Sequence, residues 1–186
     1  MKAKWKIVLI AALLVCFFQS PVHALKFAAL ELSESDIAVG DSFDVTVSVY
    51  DDGELGDLTG FGFDVATDSS EVLSYSGYTV GADFWDAPDP SNPSFVGGLY
   101  AGMGNFGETV ELATLTFEAI AAGTGTIDVS GIFDGWFYGL YYLFGDEDIT
   151  GSADVTVSAA SVPEPATLLL LLTGLAGFVG LRRKRL

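Results

Sequence analysis

The chain has 186 residues, 25 acidic against 8 basic, a formal charge of −17, one cysteine and one histidine. A single cysteine excludes an intrachain disulfide, and the negative balance works against binding to nucleic acid or an anionic membrane surface. Cys16 and His23 both fall within the first 24 positions, so the rest of the chain lacks a thiolate nucleophile, a Ser-His-Asp triad and an imidazole for zinc.

Lys2, Lys4 and Lys6 precede an apolar run over 7–18, and Val22-His23-Ala24 places small residues at −3 and −1 of a cleavage site. That order predicts a secretory signal peptide over 1–24. Val15 before Cys16 and two Phe after it argue against lipidation. Residues 25–162 then carry 24 acidic residues and one base, Lys26, a formal charge of −23. The chemistry left to such a segment is that of carboxylates: glycoside hydrolysis by an acid pair, or calcium binding.

The patterning of 25–158 is β throughout. Ser42–Tyr50 alternates strictly, with Phe43, Val45, Val47 and Val49 on one face. The same period of two recurs over 60–65, 113–119, 124–132 and 153–158, separated by Gly and Asp turns at Gly40-Asp41, Asp51-Asp52-Gly53, Gly123-Thr124-Gly125 and Gly151. Half-buried strands at this spacing predict an all-β fold, an antiparallel two-sheet sandwich or jelly roll. The stretch 83–107, with Pro88, Pro90, Pro93 and several Gly, departs from the pattern.

Two local features are candidates for binding. The aromatic run 136–144 places Trp136, Tyr138 and Tyr142 on one face of an extended strand, and Trp85 stands between acids. Flat aromatic faces with polar edges suit sugar rings, and equally suit a strand buried between sheets. The carboxylate clusters are Asp51, Asp52, Glu54 and Asp57; Asp83, Asp86 and Asp89; and Asp146, Glu147 and Asp148. Calcium is the cofactor such oxygens would take, with Asp51, Asp52, Glu54, Asp57, Asp146 and Asp148 as candidate ligands, although none matches the full EF-hand loop and acidic turns are commonly just solvated. No particular acid pair stands out for hydrolysis.

After a short linker at 159–162, Pro163-Glu164-Pro165 precedes an uncharged sixteen-residue run over 166–181 and the basic end Arg182, Arg183, Lys184 and Arg185. As a helix the run is about 24 Å long. With snorkelling basic stems it predicts a transmembrane helix whose charged end stays cytoplasmic.

This tail over 163–186 resembles the PEP-CTERM sorting signal of Gram-negative bacteria. The resemblance implies processing by an exosortase, a transient inner-membrane anchor, and delivery to the cell surface or extracellular matrix. A second resemblance lies in Ile37-Ala38-Val39-Gly40-Asp41-Ser42-Phe43-Asp44-Val45, Gly60-Phe61-Gly62-Phe63-Asp64-Val65, Glu71-Val72-Leu73-Ser74-Tyr75 and Leu112-Ala113-Thr114-Leu115-Thr116-Phe117-Glu118-Ala119. In order and spacing these are similar to a cohesin domain, which implies a cohesin-like jelly roll over 25–158 and binding rather than catalysis. The resulting expectation is a non-catalytic protein of the extracellular polysaccharide matrix that binds carbohydrate. The alternative is a cohesin-like protein–protein interaction module with a matrix protein as partner. A glycan hydrolase is a third reading.

Overall fold

The computed structural model describes residues 25–100, 109–134 and 137–160. The expected signal peptide, the Pro-Glu-Pro motif, the apolar helix and Trp136 lie outside the described residues.

Twelve strands run in chain order: β1 (Leu25–Phe27), β2 (Ala29–Leu32), β3 (Ile37–Ala38), β4 (Ser42–Tyr50), β5 (Leu58–Thr67), β6 (Leu73–Val80), β7 (Phe84–Asp86), β8 (Phe95–Tyr100), β9 (Thr109–Ala119), β10 (Gly123–Gly131), β11 (Gly139–Tyr142) and β12 (Gly145–Ser158). The large sheet follows the path β1-β12-β10-β5-β8-β7, with β11 pairing β12 and β5, and β3 pairing β12. The small sheet is β2-β4-β9-β6. Each alternating stretch read from the sequence lies largely within a strand, and Ser42–Tyr50 matches one end to end. Pairing is antiparallel except where β12 meets β1 and β3 in parallel.

Period-two patterning places one face of each sheet inward. Phe43, Val45, Val47 and Val49 from β4 and Leu115 and Phe117 from β9 meet Phe61, Phe63 and Val65 from β5, with Ile127, Val129, Val155 and Val157 beside them. All members of this buried core lie between Ile37 and Val157. Among the described residues, then, 25–160 carry a continuous core of their own between the two sheets.

The irregular stretch 83–107 contributes two strands of the large sheet. Its glycines explain why alternation is absent there. A Cβ on Gly98 would fall 2.6 Å from the Phe61 ring and 3.1 Å from Phe84 Cβ. Aromatics from neighbouring strands fill the space that a side chain on β8 would have taken.

Candidate functional site: an apolar row on the large sheet

The outer face of the small sheet is built of hydroxyls and carboxylates. Thr46, Thr114 and Thr79 share one row, and Thr116 Oγ1 donates to Asp44 Oδ1 at 2.8 Å in the next. The exposed ring on β4 is Tyr50, at the end of the strand. The β10–β12 half of the large sheet carries the same polar groups, with Thr124 opposite Thr156 and Thr126 opposite Asp154.

The other half of the large sheet is different. Trp85 of β7 pairs with Leu99 of β8, Leu99 with Gly60 of β5, and Gly60 with Tyr141 of β11. Because register brings residues directly opposite onto one face, the four form a continuous row across four strands. Trp85 is 67% exposed and Leu99 57%. Gly60 leaves a gap in the middle, where an added Cβ would lie 3.3 Å from Leu99 and 3.8 Å from the Tyr141 ring. Leu99 and Tyr141 thus converge over bare backbone.

One flank of the row is walled by the loop before β11. Phe95 of β8 points outward yet is buried, because Phe137 and Tyr138 lie edge-on against it with centroids 6.4 and 5.3 Å away. Phe137 itself is 58% exposed. The Asp134 carboxylate accepts from the backbone N–H of Phe137 at 2.9 Å, and Asn92 Nδ2 donates to Asp64 Oδ1 at 2.8 Å and to the Tyr138 hydroxyl at 3.2 Å. Gly62 is the floor beneath this loop, since a Cβ there would collide with the Phe137 carbonyl oxygen. Isolated exposed apolar residues are ordinary, but a registered row flanked by aromatics is a candidate contact surface.

The edge beyond Trp85 is closed to strand addition. β7 has only three residues and is followed by Pro88 and Pro90, and proline cannot donate to a ladder. A partner would use the face of the sheet rather than its edge.

The sequence-derived aromatic platform is redistributed. Tyr138 lies ahead of β11, in the loop, and is half-buried. Tyr142 is 7% exposed and shares the inward face with Leu140. The expected common face of Tyr138 and Tyr142 is therefore corrected: β11 begins only at Gly139, whose φ of +100° breaks the extended run, so the alternation restarts there. Trp85 is the one described member of the set on the exposed row. Tyr141 and Phe137 belong to the opposite face of the aromatic run, and Leu99 has no counterpart among the sequence candidates, because only a strand prediction through the glycine-rich segment 95–100 would find it.

The acidic candidates are also relocated. The 51–57 loop and the β11–β12 turn dock together, with Leu143 N–H donating to Asp57 O and Phe144 N–H to Leu55 O, each at 2.9 Å. Asp51 is fully buried and Asp52 accepts from Glu54 N–H at 3.0 Å. Glu54 is exposed and Asp57 half-buried. Asp148 accepts from Phe133 N–H at 2.7 Å, and Asp146 lies opposite Tyr141. Among the described residues no three acidic side chains stand close enough together to hold a metal as they are.

Burial also sets the titration of the tyrosines. It pushes Tyr75 up to about 12, and with the charges of Asp134 and Asp146 it pushes Tyr141 up to about 12. Tyr78, half-buried with its hydroxyl donating to Asp86, and Tyr142, buried beside Glu147, are raised as well. A folded-state pKa above the unfolded value of 10.0 means that the folded state holds protons which the unfolded chain has released. Stability is thus full below pH 10 and falls as pH rises from there through about 12. Urea midpoints measured from pH 8 upward are expected to stay level and then drop above about pH 10; a level midpoint at high pH would contradict the buried hydroxyls.

Comparison with known proteins adds two findings. Residues 161–184 match the PEP-CTERM protein-sorting motif. The chain carries that signal. Among solved structures, the cohesin module of a family 33 glycoside hydrolase from Clostridium perfringens superposes with a TM-score of 0.58 at 8% identity, over 73% of this chain and 98% of that one. The fold is that of a cohesin. The sixth cohesin of scaffoldin B from Acetivibrio cellulolyticus, solved with a Cel5 dockerin mutant, gives 0.48 at 15% identity over 70% of this chain and 99% of that one. A non-cellulosomal cohesin from Archaeoglobus fulgidus gives 0.47 at 12% identity over 74% and 92%. No curated protein matches the chain. At these identities the likeness to a cohesin is one of fold, and the outward-facing side chains of this sandwich are its own.

Proposed function

We propose that the protein is a non-catalytic docking module, sorted to the outside of a Gram-negative cell by its C-terminal signal, and that it takes a protein partner on the Trp85–Leu99–Gly60–Tyr141 row. The observation that supports this reading most strongly is the row itself, in which the exposed Trp85 and Leu99 lie in register beside the bare backbone of Gly60 and the half-buried Tyr141. Its position fits. Asp146, opposite Tyr141, and Ser158, next to the tail, stand near the two ends of β12, roughly 40 Å apart at about 3.3 Å per residue. Held by its C-terminus, the module would present the row away from the anchored end. Exosortase would process the tail, leaving the sandwich on the surface or in the matrix. The partner would be basic or neutral, since a segment with 24 acids and one base repels an acidic one.

Exposure of Trp85 also favours a second reading, a matrix polysaccharide stacked on that ring. One experiment separates the two. Residues 25–160 are immobilised and offered the source organism's extracellular matrix, either protease-treated or periodate-oxidised, with calcium or with chelator. A protein partner is lost after protease, and a glycan after periodate. In either case Trp85→Ala with Leu99→Ser should lower retention at least tenfold with an unchanged Tm. Undiminished retention by that variant removes the row from the site, and retention lost only in chelator assigns the contact to calcium-bridged carboxylates.

A further inference from the structure

Strand β5 stops short of its neighbours in the large sheet. Its pairing with β10 ends where Thr67 stands opposite Ile127, whereas β10 and β12 run on together to Gly123 opposite Val157. At Asp68, whose N–H donates to Thr126 O at 3.2 Å, the chain leaves this sheet and turns into β6 of the other. The missing length of strand leaves a notch in the sheet. It is a cavity of about 360 Å³ lined by Asp68, Thr124, Gly125, Thr126, Asp154 and Thr156. Ile127, Val155 and Val157 face the core, so Thr124, Thr126, Asp154 and Thr156 face outward.

The lining is fixed from its centre. The Thr126 N–H donates to Asp68 Oδ1 at 2.7 Å, and the Thr126 hydroxyl donates to Asp154 Oδ1 at 2.9 Å. One residue thus orients two carboxylates, one on either side of β10. Each carboxylate has a second oxygen beyond the one that Thr126 uses. In the next row the hydroxyl-bearing Thr124 and Thr156 stand directly opposite each other. By the alternation of an antiparallel ladder, Thr124 turns its backbone N–H and C=O the same way as Thr126, toward the side where β5 has ended.

This set of groups selects its ligand class. No base lines the notch among the described residues, so two carboxylates repel an anion. Two carboxylates fall short of the six to eight oxygens that calcium takes. Strand addition is blocked at Thr126, because Asp68 already occupies both its N–H and its C=O. What remains is a ligand rich in groups that donate and accept at once. Carboxylates accept from such hydroxyls, and threonine hydroxyls and a backbone amide donate to them. The volume lies within the range of about 300–1,000 Å³ that small-ligand clefts occupy.

We propose that the notch is a subsite for one neutral hexose unit of a polysaccharide, gripped at its hydroxyl edge by Asp68, Asp154, Thr124 and Thr156, with Thr126 as the positioning residue. It is separate from the apolar row. Asp154 lies roughly 26 Å along β12 from Asp146, the residue opposite Tyr141. The notch is at the Ser158 end, next to the tail, so a module held by its tail meets glycan near the anchoring surface and leaves the row open to a partner.

Amide chemical shifts of residues 25–160 test the proposal, titrated with glucose, galactose, mannose, glucuronate and calcium chloride in turn. At least one neutral hexose is expected to move the amides of Asp68, Thr124, Thr126 and Thr156 with a Kd of about 1–10 mM, and glucuronate to bind at least tenfold more weakly. Thr124→Val with Thr156→Val keeps β-branched side chains on exposed strand positions, so it should fold with an unchanged Tm and bind at least fivefold more weakly. Thr126→Ser, which keeps both hydrogen bonds to the carboxylates, should bind like wild type. Trp85→Ala with Leu99→Ser should leave hexose binding unchanged, which separates a failure of the notch from a failure of the row. Shifts at these amides with none of the three hexoses, shifts that survive the double valine variant, or shifts produced by calcium and not by hexose overturn the proposal.

Discussion

Phe117→Ala is expected to destabilise the sandwich by about 3–5 kcal/mol, the usual loss for emptying a large aromatic site in a core that cannot collapse. Phe117 is fully buried on β9, an inner strand of the small sheet. Phe43 stacks on it from β4 with centroids 5.8 Å apart, and Tyr75 leans on it from β6 at 5.4 Å. Its removal therefore leaves two rings on two neighbouring strands without their common contact. Tyr75 would feel this doubly, because its hydroxyl is already buried without a partner. Chemical denaturation is the measurement: a fall in midpoint with the m-value unchanged reports lost packing, whereas a changed m-value reports an altered denatured or native ensemble. A loss below about 1 kcal/mol would mean that the surrounding strands close over the space.

Gly62→Ala should separate the candidate surface from the core. The new methyl group would collide with the Phe137 carbonyl and reach within 2.9 Å of the Phe95 ring. The core side of β5 at this point is carried by Phe61 and Phe63, which the substitution leaves alone. Since β5 is a central strand of the large sheet and bonded to β10, β8 and β11, the loop must yield rather than the strand. The expected cost is about 1–3 kcal/mol, the range for forcing extra volume into a filled site. Loss of cover over Phe95 should accompany it, seen as binding of a hydrophobic dye below the melting transition. Gly60→Ala is the control: its nearest backbone neighbour, Gly98 O, would be 3.1 Å away and the other contacts are side-chain atoms, so a smaller loss and no dye binding are expected.

How far the chain could be read depended on where each signal came from. Strand β4 was legible because its alternation in sequence is complete over Ser42–Tyr50, even though its pairing with β9 shifts register between Val47 and Ser48. Strand β8 was not, because its core-facing Gly98 is filled by Phe61 and Phe84 from adjacent strands and its outward Phe95 is covered by a loop. A side-chain period carries no information where neighbours supply the side chains. The aromatic run divides for a backbone reason. One positive φ at Gly139 ends the irregular segment and starts a new strand, so Tyr138 stays in the loop while Tyr142 follows Leu140 on the inward face of β11.

The β architecture, the charge of −23 over residues 25–162 and the sorting tail are all written in local order: period two, composition, and a motif followed by an apolar run and a basic end. Which residues meet is a property of the folded molecule. Trp85, Leu99 and Tyr141 become one row through strand register, and Lys26 reaches Tyr142 across 116 positions of chain. Contacts of that range depend on how the two sheets fold over each other, and no local pattern around Lys26 or Leu99 encodes it.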